Sequence, residues 1–234
     1  MSSRKIKHEV AALLQGRDLA AVMEAMRRYP AKDAVNALFA LICRDEQHLR
    51  WYAVSCMGEA VARLAEADME AARIVMRRFL WSLNDESGGI GWGAPESMAE
   101  AMCRHAGLAG EYVHMLISYM REDGSEICQD GNYIEHPLLQ RGLLWGVARL
   151  SGCRTRLLLD KGAGDHISPY LGAEDATVRG LAALAAGLLR LTATGPILQA
   201  MAHDPAPLTL YRDGRFDATT VGGLARSALE SMHR

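Results

Sequence analysis

The sequence contains an internal repeat, and this feature constrains the fold more than any other. Four segments superimpose without gaps: LRWYAVSCMGEA from Leu49, IGWGAPESMAEA from Ile90, LQRGLLWGVARL from Leu139 and VRGLAALAAGLL from Val178. Their starts lie 41, 49 and 39 residues apart along the chain. A spacing of roughly 40 residues is enough for two helices and their turns. The repeat therefore predicts a stack of helical pairs.

The aligned segments share an apolar face. Positions at offsets 0, 4 and 8 are apolar in every segment, and this spacing follows one side of a helix. Small residues come directly after the last of these positions, at Gly58, Ala99, Ala148 and Gly187. They allow neighbouring helices to approach closely. An isolated pair would expose its apolar face to water, so we expect each pair to bury that face against the next.

The segment EDATVRGLAALAAGLLR, Glu174 to Arg190, is similar to the D-x-x-V-R-x-x-A-x-x-A-L-G pattern of the HEAT-repeat family, and DEQHLRWYAVSCMGEA is a weaker match. The whole chain also resembles uncharacterised bacterial HEAT-repeat proteins and bilin-lyase-like repeats. The resemblance covers roughly residues 18 to 190 and implies an all-α fold, an α-α superhelix or HEAT-like solenoid. The sequence departs from the pattern near Ile90, where glycines and Pro95 interrupt the helix start. Such a resemblance is informative about shape and not about chemistry.

The C-terminus breaks the repeat. An Asp-Gly pair at 213–214 lies between the β-prone runs LTLY and RFDATT, which predicts a short hairpin. Thr219 or Thr220 can then cap a final helix that runs through Met232. We therefore expect a HEAT-like helical repeat domain over residues 1–204 and a hairpin-helix cap, packed on the same domain, over residues 205–234.

Composition and charge exclude several classes of partner. The net charge is −2 and the pI is near 6.4, so we do not expect the chain to bind nucleic acid. The N-terminal residues lack the apolar core of a signal peptide, and no apolar run approaches the ~20 residues of a membrane helix. The five cysteines form no C-x-x-C pair and are expected to be free thiols. A cytoplasmic location is the resulting expectation.

The segment from Trp81 to Glu96 is irregular. It holds four glycines, a second tryptophan at Trp92, and the carboxylates Asp85 and Glu86 besides Glu96 itself. A Gly-x-Gly-x-x-Ala run within it fits the dinucleotide fingerprint formally, but it follows a predicted helix and not a strand, so we reject that interpretation. Two interpretations stay open. The segment is either a packed, capped loop or a binding loop for a cationic or neutral group, because its carboxylates repel anions.

Tryptophans recur on the face of the aligned segments that points away from the core. Trp51, Trp92 and Arg141 share one column, and Glu96 and Trp145 share the next. If these helices line a concave surface, as in HEAT stacks, the tryptophans form a cluster bordered by Glu59, Glu96, Glu100, Arg141 and Arg149. Aromatic residues with arginine are common anchors of an interface. In the alternative, the tryptophans fill the space between repeats.

The pair Glu135-His136 precedes Pro137 at the start of the third aligned helix. The pair has the chemistry of an acid–base or metal site, but an acidic residue beside a proline is also an ordinary helix start. The remaining histidines show no H-x-x-x-H or H-E-x-x-H spacing, and no G-x-S-x-G or Gly-Lys-Ser/Thr motif is present. We therefore expect no metal, no cofactor and no catalytic residue.

The sequence favours a non-enzymatic scaffold that holds a protein or peptide on its concave face, although an enzymatic role stays open. The alternative is a small-molecule-binding or enzymatic protein that resembles bilin lyases or HEAT-like DNA glycosylases. That alternative would use the following residues: Trp81, Asp85, Glu86, Trp92, Glu135 and Trp145. The acidic segment and the net charge argue against DNA.

Overall fold

The computed structural model describes residues 3–84, 91–122 and 132–233. Helix dominates these ranges: α1 (Ser3–Leu13), α2 (Leu19–Met26), α3 (Ala31–Leu38), α4 (Gln47–Ala67), α5 (Met69–Leu83), α6 (Ala94–Arg104), α7 (Ala106–Ser118), α8 (Pro137–Cys153), α9 (Thr155–Asp160), α10 (Ala176–Leu188), α11 (Gly195–Met201) and α12 (Val221–Met232). Strands β1 (Pro207–Arg212) and β2 (Arg215–Thr220) form a hairpin. The predicted all-α class with a small C-terminal hairpin and a final helix is confirmed. None of the helices in these ranges is long and apolar enough to cross a membrane.

The chain divides into two compact units, Met1–Ala109 and Gly110–Arg234. In the first unit, the aligned segment from Leu49 lies on α4 and the next lies largely on α6, and these two helices pack against each other. Gly58 of α4 lies directly against Glu100 of α6, so any side chain at position 58 would collide with it. The small residue predicted beside the apolar face therefore marks a close helix contact.

In the second unit, α8 and α10 carry the aligned segments from Leu139 and Val178 and pack on each other. The Asp175 carboxylate begins α10 by accepting hydrogen bonds from the N–H groups of Thr177 and Val178, at 2.9 and 3.0 Å. Such an N-cap satisfies backbone donors that a helix leaves free at its start. Gly187 of α10 meets Ala228 of α12, where a Cβ on the glycine would lie 2.5 Å from the Ala228 Cα.

The C-terminal hairpin has the turn that the sequence predicts. Asp213 and Gly214 both have positive φ angles, 46° and 88°, and Tyr211 pairs with Phe216 across the strands. Two residues in this conformation form the tight turn that suits the twist of paired strands. Thr220 then caps α12 by accepting a hydrogen bond from the Gly223 N–H at 3.0 Å. The division of the chain into domains at residues 204 and 205 stays a prediction.

The bonding state of the cysteines differs from the expectation of five free thiols. Cys43 and Cys56 are free, but Cys103 and Cys153 are disulfide-bonded, and Cys128 lies outside the described residues. The prediction of free thiols is therefore wrong for two of them, because sequence spacing does not reveal which thiols the fold brings to bonding distance. Burial raises the pKa of the Cys56 thiol to about 12, so this cysteine is an inert packing residue. The cytoplasmic location stays a prediction.

Substitution of Gly187 tests the close contact between α10 and α12. We expect Gly187→Ala to lower the free energy of unfolding by about 1–3 kcal/mol, because the new methyl group overlaps Ala228. Urea unfolding followed by circular dichroism measures the change.

Gly152→Ala is the matched control. Gly152 also lies near the end of a helix, but no atom lies within 4 Å of the position that its Cβ would occupy. This variant should keep or raise stability, by up to about 1 kcal/mol, because alanine favours the helix. Equal effects of the two substitutions would show that Gly187 does not mark a tight contact.

Candidate functional site

A cavity of about 320 Å³ lies in the second unit, between α8, α10, α12 and the hairpin. We call it the hairpin groove and define it by six of its lining residues: Trp145, Arg149, Leu184, Leu188, Asp213 and Ala228. Its size is at the lower end of the range for ligand pockets in proteins. The groove contains Trp145, the tryptophan of the third aligned segment.

The repeat alignment explains how α8 and α10 supply the floor of the groove. Trp145 and Leu184 share one alignment column, and Arg149 and Leu188 share the column one turn later. Residues four apart on a helix lie on one face, so each helix contributes two neighbouring side chains. Leu188 is 38% exposed, so part of its side chain is open to solvent in the groove. Leu184 and Leu188 therefore form an apolar part of the floor, whereas Arg149 adds a charge at its edge.

The hairpin forms one wall of the groove and is attached through Trp145. The buried indole Nε1–H donates a hydrogen bond to the Tyr211 carbonyl at 3.0 Å, and the two rings lie 6.3 Å apart. Tyr211 in turn packs on Phe216 of β2, with ring centroids 5.2 Å apart. Trp145 therefore positions the wall. The sequence predicts the hairpin, but nothing in the sequence indicates that the hairpin packs over the column of Trp145 and Leu184.

The rim of the groove carries an ion pair. Arg149 of α8 lies 3.2 Å from the carboxylate of Asp213, which is at the hairpin turn and largely exposed. An exposed pair of this kind is worth at most about 1 kcal/mol. A charged group of a bound partner can therefore replace one member of the pair at little cost.

The other tryptophans lie in the first unit. Trp51 and Trp92 are half-buried, whereas Trp81 is 66% exposed at the end of α5. Arg50 lies over the Trp51 ring, 5.7 Å from its centroid. Because Trp145 belongs to the second unit, the cluster of Trp51, Trp92 and Trp145 expected from the sequence stays a prediction. Asp85 and Glu86 lie outside the described residues.

Glu96 is buried, whereas the sequence predicts it at the border of an exposed cluster. It begins α6 and is only 6% exposed, and its Oε2 atom has no hydrogen-bond partner. Three other buried polar atoms in the described ranges also lack partners: Arg50 Nε, Trp92 Nε1 and Ser97 Oγ. Burial raises the pKa of Glu96, and a backbone hydrogen bond and the positive charge of Arg50 oppose this only in part. The carboxyl therefore favours its neutral form more than an exposed glutamate does.

Glu100 and Glu59 border a packed interface between helices. Glu100 is buried, and its carboxylate lies 3.3 Å from Arg104 Nε. Glu59 pairs with Arg27 at 2.7 Å and with Arg104 at 3.9 Å. The expectation that Glu96 and Glu100 edge an exposed cluster is wrong, because the small Gly58 allows α4 to cover this side of α6.

The residues at the start of α8 have structural roles in the second unit. The His136 carbonyl accepts the N–H groups of Leu139 and Gln140, both at 3.0 Å, and Glu135 and His136 are themselves exposed. Arg141 binds the Asp175 carboxylate at 2.6 and 2.9 Å. Burial alone would raise the pKa of Asp175, but Arg141 and the two N–H donors of α10 outweigh burial and lower it. Arg141 thus connects the cap of α10 to α8.

The described ranges contain no group of three or more His, Cys, Asp or Glu residues that could hold a metal ion. Glu135 and His136 accordingly have no third ligand of these types in the part of the chain that the structure covers.

No protein-family model matches the chain, and no curated protein sequence matches it. Among solved structures, an engineered protein has a TM-score of 0.53 at 14% identity, over 100% of this chain and 97% of that one. A computationally designed armadillo repeat protein for modular peptide recognition has a TM-score of 0.52 at 15% identity, over 96% and 91%. An archaeal HEAT-like repeats protein from Thermococcus onnurineus NA1 aligns over 100% and 97% at 12% identity, but with a TM-score of only 0.33. The first two likenesses establish a helical repeat fold and nothing about chemistry.

Replacement of Glu96 tests its burial. Glu96→Gln removes a carboxyl that is costly to ionise in the folded chain, since its pKa is raised there. Below the pKa of the unfolded chain, about 4.3, the carboxyl is neutral in both states, and the cost grows as the pH rises above that value. We expect the variant to be more stable than the parent at neutral pH, on the order of 1 kcal/mol, with the difference vanishing at low pH.

Urea unfolding over a range of pH measures this difference. Glu135→Gln is the matched control, because Glu135 is exposed and the same replacement there should change stability by no more than about 0.5 kcal/mol. If the variant and the parent have the same free energy of unfolding at every pH, the Glu96 carboxyl does not destabilise the folded chain when it ionises, and the prediction fails.

Proposed function

We propose that the chain is a binding scaffold that holds a peptide segment of a partner protein, with an apolar side chain of that segment seated in the hairpin groove. The observation that supports this most directly is the groove itself. It combines an apolar floor at the half-buried Leu184 and the exposed Leu188 with a charged rim at Arg149 and Asp213. Interfaces commonly have this arrangement of an apolar centre and a polar edge.

The size of the groove favours a peptide over a folded partner. A volume of about 320 Å³ accepts one or two large apolar side chains and leaves no room for a helix, whose diameter is about 10 Å. An extended segment can place a single anchor side chain in such a site while its backbone runs along the rim. Anchors of this kind provide most of the affinity in many interfaces.

The comparisons are compatible with this role. The designed armadillo repeat protein with a similar fold is one made for modular peptide recognition. At 15% identity the likeness concerns the fold, so the proposal for this chain depends on its own groove. In the first unit, we propose the half-buried Trp51 and Trp92 as further partner contacts, and the exposed Trp81 as a third.

A selection experiment tests the proposal directly. A randomised short-peptide library is displayed on messenger RNA and selected against the full chain, and the strongest binder is synthesised and titrated by calorimetry. We expect the selected peptides to share one large apolar residue. Leu188→Glu should weaken their binding about tenfold or more, because it places a charge on the apolar floor.

Ile197→Glu is the matched control. Ile197 is 40% exposed on α11 in the same unit, compared with 38% for Leu188, and it does not line the groove. Binding that survives Leu188→Glu, or that both variants weaken equally, would contradict the proposal. Circular dichroism of each variant shows whether the helices are retained.

A further inference from the structure

A second cavity, of about 570 Å³, lies in the second unit and shares no residue with the hairpin groove. Its lining comes from the residues after α7, the start of α8 and the segment that precedes α10. We call it the tyrosine cavity and define it by Glu122, Tyr133, Gln140, His166, Tyr170 and Glu174. The repeat alignment does not predict it, because none of these segments except the start of α8 belongs to an aligned block.

Hydrogen bonds hold the two tyrosines of this cavity in place. The Tyr170 hydroxyl donates to the Met120 carbonyl at 3.1 Å. Gln140 donates through Nε2 to the Tyr133 hydroxyl at 3.3 Å and to the Ile134 carbonyl at 2.8 Å. The cavity is therefore preformed, so a ligand would not have to order its walls.

The lining is rich in hydrogen-bond acceptors and carries negative charge. Its charged lining residues are three carboxylates and one arginine, which together carry a formal charge of −2. They are Glu122, Glu174, Asp175 and Arg121. Asp175 is already paired with Arg141. Glu122 and the Glu174 side chain, in contrast, have no hydrogen bond or ion pair in the ranges that the structure covers.

The negative charge acts on the tyrosines. Burial is the largest cause that raises the pKa of both Tyr133 and Tyr170, and the Glu122 carboxylate raises each pKa further. Glu122 lines the same cavity as both tyrosines, so a cation in the cavity experiences its charge. A cation that enters the cavity would meet carboxylates and aromatic rings together.

We propose that the tyrosine cavity binds a guanidinium group. A guanidinium is planar, donates five N–H bonds in a fixed fork and stacks on aromatic faces, and each property has a counterpart in this cavity. Glu122 and Glu174 are the carboxylate acceptors, and Tyr133 and Tyr170 are the aromatic walls. The cavity volume is sufficient for a whole arginine side chain. The site does not depend on the function proposed for the hairpin groove.

Titration with short peptides tests the proposal. Backbone amide NMR spectra of the full chain are recorded during addition of acetyl-Ala-Arg-Ala-amide and, separately, of the same peptide with citrulline, which is neutral and nearly isosteric. We expect the arginine peptide to shift signals of the cavity residues and to bind about tenfold more tightly than the citrulline peptide. Equal binding of both peptides, or no shift at these residues, would overturn the proposal.

The same titration with methylguanidinium distinguishes the two sources of the group. Tighter binding of the peptide identifies an arginine side chain, and equal binding identifies a free guanidinium compound; each result supports the site. Glu122→Gln should weaken the arginine peptide up to about fivefold, because Glu122 is exposed. Glu230→Gln removes an exposed carboxylate on α12, outside the cavity, and should leave binding unchanged. If Glu122→Gln weakens arginine binding no more than Glu230→Gln does, the proposal of a guanidinium site would also be overturned.

Discussion

The hairpin groove depends on the docking of the C-terminal hairpin, and the contact of Trp145 on α8 with Tyr211 is one attachment of that hairpin. A two-stranded hairpin is marginally stable in water by itself. Here the Trp145 indole supplies a hydrogen bond to a strand carbonyl and an apolar surface for Tyr211, and Phe216 extends the same aromatic contact. Because residues 210–213 form a wall of the hairpin groove, the groove exists only while the hairpin is docked. The proposed peptide site therefore depends on the docking of the hairpin, to which Trp145 and the packing of Leu208 beside Gly180 of α10 both contribute.

Close helix contacts at small residues impose a second constraint. Gly58 brings α4 against Glu100 of α6, and Gly187 brings α10 against Ala228 of α12. In the first unit, this proximity removes water from carboxylates that an isolated helix would expose, so Glu100 pairs with Arg104 while Glu96 is left without a full set of partners. Gly58 and Gly187 occupy the same position of the repeat. This position therefore forms part of a packed interface in the first unit and part of an open groove in the second.

The sequence predicts the parts of this structure that follow directly from periodicity. Equivalent columns on α8 and α10 line the hairpin groove, since residues four apart share a helix face. The burial of Glu96 could not be predicted, because a glutamate near a glycine-rich break is typically solvated and its burial depends on the contact of α4 with α6. The tyrosine cavity could not be predicted either, because Tyr133 and Tyr170 lie in connections that have no periodic relation.

Hydrogen exchange measured by mass spectrometry tests the docking of the hairpin most directly. Trp145→Phe keeps an aromatic ring but removes the indole N–H that binds the Tyr211 carbonyl. We expect the backbone amides of residues 207–220 to exchange faster in this variant, and the amides of α4 in the first unit to keep their protection. Unchanged protection of the hairpin would contradict the claim that Trp145 holds this wall of the groove in place.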